Sequence, residues 1–130
     1  MNRILLVEDS PTQAYTTTKM LEKNGYTVIH VNNGQDAVNY AMQQVPDLVI
    51  MDIVMADGNG FEATRKLARN ETTRNIPVVM LSSKDQATDR LWAKRQGAKD
   101  YLVKPVNEQD LVRTVTGLLN SADTAEDMIG

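Results

Sequence analysis

Leu48-Val49-Ile50-Met51-Asp52 is a run of four apolar residues closed by a carboxylate. A continuous apolar run this short reads as a strand covered on both faces, as in a parallel sheet. The pattern recurs on either side, at Ile4–Val7, Val28–Val31, Val78–Leu81 and Tyr101–Val103. Longer segments with helical spacing separate the runs. Ser10–Asn24 carries Ala14, Thr17, Thr18 and Leu21 on one stripe, and Gly34–Gln44 carries Ala37, Val38, Ala41 and Met42. Phe61–Arg69 carries Phe61, Thr64, Leu67 and Ala68, Gln86–Gln96 carries Ala87, Arg90 and Leu91, and Glu108–Leu119 carries Leu111, Val112, Val115, Leu118 and Leu119. Five strands alternating with five helices predict an α/β fold: a doubly wound parallel sheet with helices on both faces and right-handed crossovers.

Local signals agree. Asn24-Gly25 and Gln96-Gly97 read as helix stops, with glycine past the last turn. Asn107 before Glu108 and Asp110 reads as a capped helix start. Pro46 and Pro77 precede apolar runs, where a strand can begin. No linker, repeat or low-complexity segment interrupts the series, so residues 1–121 read as one domain. The acidic stretch 122–130 has no partner pattern and is expected to fray.

Composition narrows the function. The 130 residues include no cysteine and one histidine, which excludes disulfides, thiolate chemistry and multi-histidine metal sites. A net charge of −3 and a pI near 5.1 disfavour nucleic acid as a partner. No apolar run approaches the ~20 residues needed to span a bilayer, and no signal peptide is read at the N-terminus. The expectation is a cytoplasmic protein with no membrane insertion.

In open parallel sheets the ligand site lies beyond the carboxyl ends of the strands. There this sequence places Glu8-Asp9 after the first run, Asp52 after the third, Ser82-Ser83 after the fourth and Lys104-Pro105 after the fifth. Clustered carboxylates repel one another without a cation. All-oxygen ligands select a hard divalent ion, Mg2+ or Mn2+, over zinc. A metal, an ammonium and a hydroxyl around one carboxylate would also neutralise a phosphoryl group in transfer. The carboxylate itself can be the nucleophile, giving an acyl phosphate.

The ordered set Glu8-Asp9, Asp52, Ser82 and Lys104-Pro105 resembles the response-regulator receiver domains of the chemotaxis-regulator type, over about residues 2–120. That resemblance implies the flavodoxin-like strand order 2-1-3-4-5. It also implies residue roles. Asp52 would be the phospho-acceptor. Asp9 and Asp52 would bind Mg2+ directly, Glu8 mostly through water, and the Val54 backbone carbonyl would complete the protein's share. Ser82 would be the switch hydroxyl, Tyr101 the switch aromatic, and Lys104 the partner of the phosphoryl oxygens, its bond to Pro105 cis. The output face would be helix 4, strand 5 and helix 5, with Trp92, Tyr101 and Val106 upon it. One departure stands out: Ala56 occupies the position, four after the acceptor, that usually holds proline. The stretch Thr88–Tyr101, with Trp92 and Arg95-Gln96-Gly97-Ala98, further resembles the regulators of type IV pilus twitching motility.

The function so implied is a stand-alone, monomeric switch rather than an enzyme, with a histidine kinase as donor, a downstream protein as target and slow autodephosphorylation. A phosphate sink and a phosphorylation-independent scaffold are the alternatives. A haloacid-dehalogenase-like phosphatase needs an Asp-x-Asp pair, and Val54 stands where the second acid would be. A flavodoxin-like cofactor binder needs a phosphate loop where Glu8-Asp9 would repel phosphate. His30 reads as structural, and the cluster Lys94, Arg95 and Lys99 as a solvated face.

Overall fold

The structure, a computed structural model, describes residues 2–55 and 58–129. Five strands form one parallel sheet: β1 (Arg3–Val7), β2 (Thr27–Val31), β3 (Leu48–Asp52), β4 (Val78–Ser82) and β5 (Asp100–Val103). Their order is β2-β1-β3-β4-β5, the order that the sequence led us to expect. The helices are α1 (Pro11–Lys23), α2 (Gly34–Gln44), α3 (Gly60–Arg69), α4 (Ala87–Arg95) and α5 (Glu108–Ile129).

Alternation along the central strands divides the core in two. Ile4, Leu6, Leu48, Ile50, Val79 and Leu81 meet Ala14 and Leu21 of α1 and Leu111, Val115 and Leu119 of α5. Leu5, Val7, Val49, Met51, Val78 and Met80 meet Ala37 and Ala41 of α2, Ala63 and Leu67 of α3 and Ala93 of α4. Each fully buried aliphatic side chain contributes about 1.5–3 kcal/mol of apolar burial, so the central strands are firmly held.

Helix ends follow the signals in the sequence. Ser10 caps α1 through its side chain, and Asn107 Oδ1 accepts the Asp110 N–H at 2.8 Å. Gly25 and Gly97 sit at φ +92° and +109° just past α1 and α4, a region that glycine enters without a Cβ penalty. Lys104–Pro105 is cis.

Expectations for β2 and α4 need correction. Strand β2 is not covered on both faces: it is an edge strand, half-buried along most of its length. The α4 stripe is not Ala87, Arg90 and Leu91. Ala87 is exposed and Leu91 is 52 % exposed, while Ala93 is the buried residue. A small side chain faces the sheet and the larger ones are left outside. A short antiparallel pair, Val54–Met55 with Gly58–Asn59, follows β3. Helix α5 extends to Ile129; alanine, glutamate and methionine in 122–129 favour helix, and no glycine or proline in that stretch precedes Gly130. Ala56 lies outside the described residues. Among the described residues, no helix is long and apolar enough to cross a membrane.

Candidate functional site

Strand register decides which side chains converge. Val7 pairs with Met51, Asp52 with Leu81 and Ser82 with Val103. The carboxyl ends of β1, β3, β4 and β5 are therefore level, and Glu8-Asp9, Asp52, Ser82 and Lys104 emerge along one side of the sheet. All line a cavity of about 590 Å³ whose wall also includes Gln13 and Val54.

Glu8, Asp9 and Asp52 each bring a carboxylate oxygen within 4.8 Å of the others. Glu8 and Asp52 are 2 % and 5 % exposed, and Asp9 is half-buried. Burial pushes the Asp52 carboxyl up from 3.8 to about 6. Its hydrogen bond with the Glu8 carboxyl pushes the same way, against the pull of the Lys104 ammonium. The Lys104 Nζ donates to Gln13 Oε1 at 2.6 Å and to Glu8 Oε1 at 2.9 Å, and lies 3.3 Å from Asp52 Oδ2. One ammonium among three carboxylates leaves a surplus of negative charge. This all-oxygen donor set fits a hard divalent cation such as Mg2+.

The surrounding backbone fixes the groups. Glu8 Oε2 accepts the Ser10 N–H at 3.2 Å, and a His30 ring nitrogen lies 2.6 Å from the Glu8 carbonyl oxygen, bracing the turn after β1. The Lys104 N–H donates to the Ser82 carbonyl at 2.8 Å. After Asp52, the chain turns back so tightly that the Gly60 N–H donates to the Ile53 carbonyl at 2.7 Å. A Cβ on Gly60 would lie 2.3 Å from the Asp52 carbonyl oxygen, so only glycine fits the start of α3. Val54 is 59 % exposed at the rim, and its N–H lies 3.3 Å from Asp52 Oδ1.

Ser82 and Tyr101 meet at the backbone of one residue, Lys84. Buried Ser82 Oγ accepts the Lys84 N–H at 3.1 Å, and the Tyr101 hydroxyl donates to the Lys84 carbonyl at 2.8 Å. The Tyr101 ring is 6 % exposed, with the Arg90 guanidinium 5.2 Å from its centroid. Neither Ser82 nor Ser83 caps α4. The N-cap is Gln86, whose N–H donates to Asp89 Oδ2 at 3.3 Å.

The structure does not gather Trp92 with Tyr101 and Val106. Trp92 packs edge-on against Phe61 of α3, centroids 6.5 Å apart. Two helical residues from Arg90, it points about 200° away from the side that meets Tyr101. Val106 is half-buried against the α1–α5 side of the core. Sequence reasoning missed Gln13 and Gly60. For Gln13 the available signal was its position: a long polar residue in the first turn of the helix that Glu8-Asp9 leads into.

Comparison with known proteins agrees with this geometry. Residues 4–116 match the response regulator receiver domain. The chain is 53 % identical to Protein PilH of Pseudomonas aeruginosa over 119 residues, covering 92 % of this chain and 98 % of that one. It also matches several transcriptional regulators, of whose length it spans about half. The chemotaxis protein CheY4 of Vibrio cholerae superimposes with a TM-score of 0.86 at 27 % identity, over 91 % of this chain and 98 % of that one. The receiver domain of the sensor histidine kinase PA1611 of Pseudomonas aeruginosa does so with a TM-score of 0.85 at 33 % identity, over 92 % and 98 %. That domain holds a magnesium ion coordinated in its active-site cleft.

Proposed function

The chain belongs to the response regulator receiver domain family, and from that premise we propose that it is a phosphorylation switch with Asp52 as its acceptor. The observation that supports this reading best is a buried carboxylate at a cavity wall, with two further carboxylates and an ammonium around it. A histidine kinase's phosphohistidine is the donor. An Asp52 oxygen attacks phosphorus, the phosphorus–nitrogen bond breaks, and the imidazole leaves with the electron pair. Lys104 meets the charge on the phosphoryl oxygens, and the buried setting strengthens that attraction. Asp9 and Asp52 would hold Mg2+ or Mn2+, with Glu8 assisting through water and the Val54 carbonyl as a further ligand, and the ion so held would supply positive charge to the phosphoryl oxygens.

Ser82 carries the message onward. When its hydroxyl turns to the phosphoryl oxygens, it releases the Lys84 N–H, and Lys84, whose carbonyl Tyr101 holds, is free to shift. The face at α4, β5 and α5 changes with it; Tyr101 and Val106 flank that edge, and a downstream protein reads it. The pattern at Trp92 and Arg95–Ala98, together with the likeness to PilH, supports a place in type IV pilus signalling.

Incubation with Mg2+ and a small acyl-phosphate donor should add one phosphoryl group by mass, and Asp52→Asn should add none. Modification of that variant to the same extent would overturn the assignment. The signal should be long-lived, because Val54 at the rim cannot orient an attacking water. Val54→Asn should shorten the phosphorylated lifetime by about three- to tenfold, the effect of ~1 kcal/mol on the barrier. An unchanged or longer lifetime would favour a phosphate sink, where the decay is not limited at this position.

A further inference from the structure

We infer that Gln13 is a positioning residue for Lys104: its amide oxygen is the neutral acceptor that keeps the ammonium beside Asp52 when a divalent cation takes up the carboxylates. The inference rests on the reading of Asp52 as a phospho-acceptor in a metal-loaded site.

An ammonium has three N–H donors, and Lys104 has three acceptors here: Gln13 Oε1 at 2.6 Å, Glu8 Oε1 at 2.9 Å and Asp52 Oδ2 at 3.3 Å. Two of the three are anions. A divalent ion among Glu8, Asp9 and Asp52 draws on those same oxygens and repels the ammonium. A lysine stem is flexible enough to swing away, and the cavity gives it room. Gln13 is exempt from this competition, because its oxygen is uncharged and lies outside the carboxylate cluster. It also makes the shortest of the three contacts.

Gln13 is well placed for that work. Its backbone N–H donates to the capping Ser10 Oγ at 3.3 Å. The next residue, Ala14, is buried in the core, as are Thr17 and Leu21 further along the helix. The amide therefore projects from a fixed first turn of α1. Lys104 is fixed from its own side, through its N–H to the Ser82 carbonyl at 2.8 Å. The Lys104 side chain is only 20 % exposed, and of the three acceptors of its ammonium Gln13 is the one that a cation does not weaken.

Gln13→Met tests this, since it keeps length and bulk and removes the acceptor. At saturating Mg2+, phosphorylation of Asp52 by a small acyl phosphate should slow by about three- to tenfold. Calorimetric Mg2+ titration without donor should show affinity within about twofold of the parent, or tighter, because no ligand to the ion has been lost. NMR relaxation of the Lys104 Cε methylene should show it loosened in the variant when Mg2+ is present. In a Lys104→Ala background, Gln13→Met should slow the reaction no further. An unchanged rate, an unchanged methylene, or an equal loss in the Lys104→Ala background would overturn the inference. The underlying reading fails separately: the parent protein would then gain no phosphoryl group at all.

Discussion

Helices α1 and α4 both leave the same edge of the sheet, and they are held very differently. Helix α1 buries Ala14, Thr17 and Leu21 and begins on a side-chain cap with proline in its first turn. Helix α4 buries Ala93 alone and leaves Leu91 and Trp92 about half exposed. Its first turn is tied mainly by polar contacts such as Arg90 to Asp85 at 2.8 Å, with side chains 48 % and 60 % exposed. Exposed pairs of this kind contribute little. The acidic groups and Lys104 thus stand against a rigid helix, while Ser82 and Tyr101 connect to a weakly attached one. Segments with few buried apolar contacts open at lower free energy than the global fold. On the proposed reading, the chemistry would sit on the first side and the movement that reports it on the second.

The largest test of this contrast is in the cores of the two helices. Leu21→Ala should lower unfolding free energy by about 2–5 kcal/mol, whereas Leu91→Ala should change it by no more than about 0.5 kcal/mol. Urea denaturation of both variants measures it, and comparable losses would break the contrast.

The next effect lies in the charge held against the rigid side. Asp52 titrates at about 6 in the folded protein against an ordinary 3.8, so the folded state binds this proton more tightly than the unfolded chain does. Without divalent ions, stability should therefore fall as pH rises from about 4 through 6, and the penalty is complete above that range. Asp52→Asn should be the more stable protein at pH 8, by up to about 3 kcal/mol. The advantage should vanish near pH 4, and saturating Mg2+, which favours the carboxylate, should narrow it. Chemical denaturation across pH would refute this if the difference were flat.

The smallest effect concerns the loose side. Tyr101→Phe removes one hydrogen bond to an exposed loop carbonyl and should cost about 0.5–1.5 kcal/mol. Hydrogen exchange should quicken at Lys84 and along α4 and leave α1 unchanged. Equal quickening in both helices would mean that Tyr101 supports the whole core rather than one tether.

Much of this was legible in the sequence, for identifiable reasons. Short apolar runs ending in Glu8-Asp9, Asp52, Ser82 and Lys104 gave the fold and placed the site, because strand ends and site residues are the same positions. The α1 stripe read correctly since its buried residues are the ones with helical spacing. The α4 stripe failed because the helix rests on Ala93, a residue too small to dominate an apolar pattern. The contact of Trp92 with Phe61 was not legible for a related reason: composition marks an aromatic as an anchor but does not fix which neighbour it meets. Gln13 escaped notice because its partner lies 91 positions away, a pairing that only the folded chain creates. Val45, which ends α2 at φ +42°, gave no warning either, since a β-branched residue before proline is a poor candidate for the left-handed region.

The approach of Gly60 to the end of β3 has a consequence for sequence drift. A methyl group there would stand 2.3 Å from the Asp52 carbonyl oxygen and 2.7 Å from Met51 Cγ. In a saturation library screened only for folded protein, with no donor, ion or partner present, this position should retain glycine and shed larger residues. Its invariance across descendants of this chain would then record a steric exclusion, and a reader of such an alignment would credit signalling with a constraint that geometry imposes first.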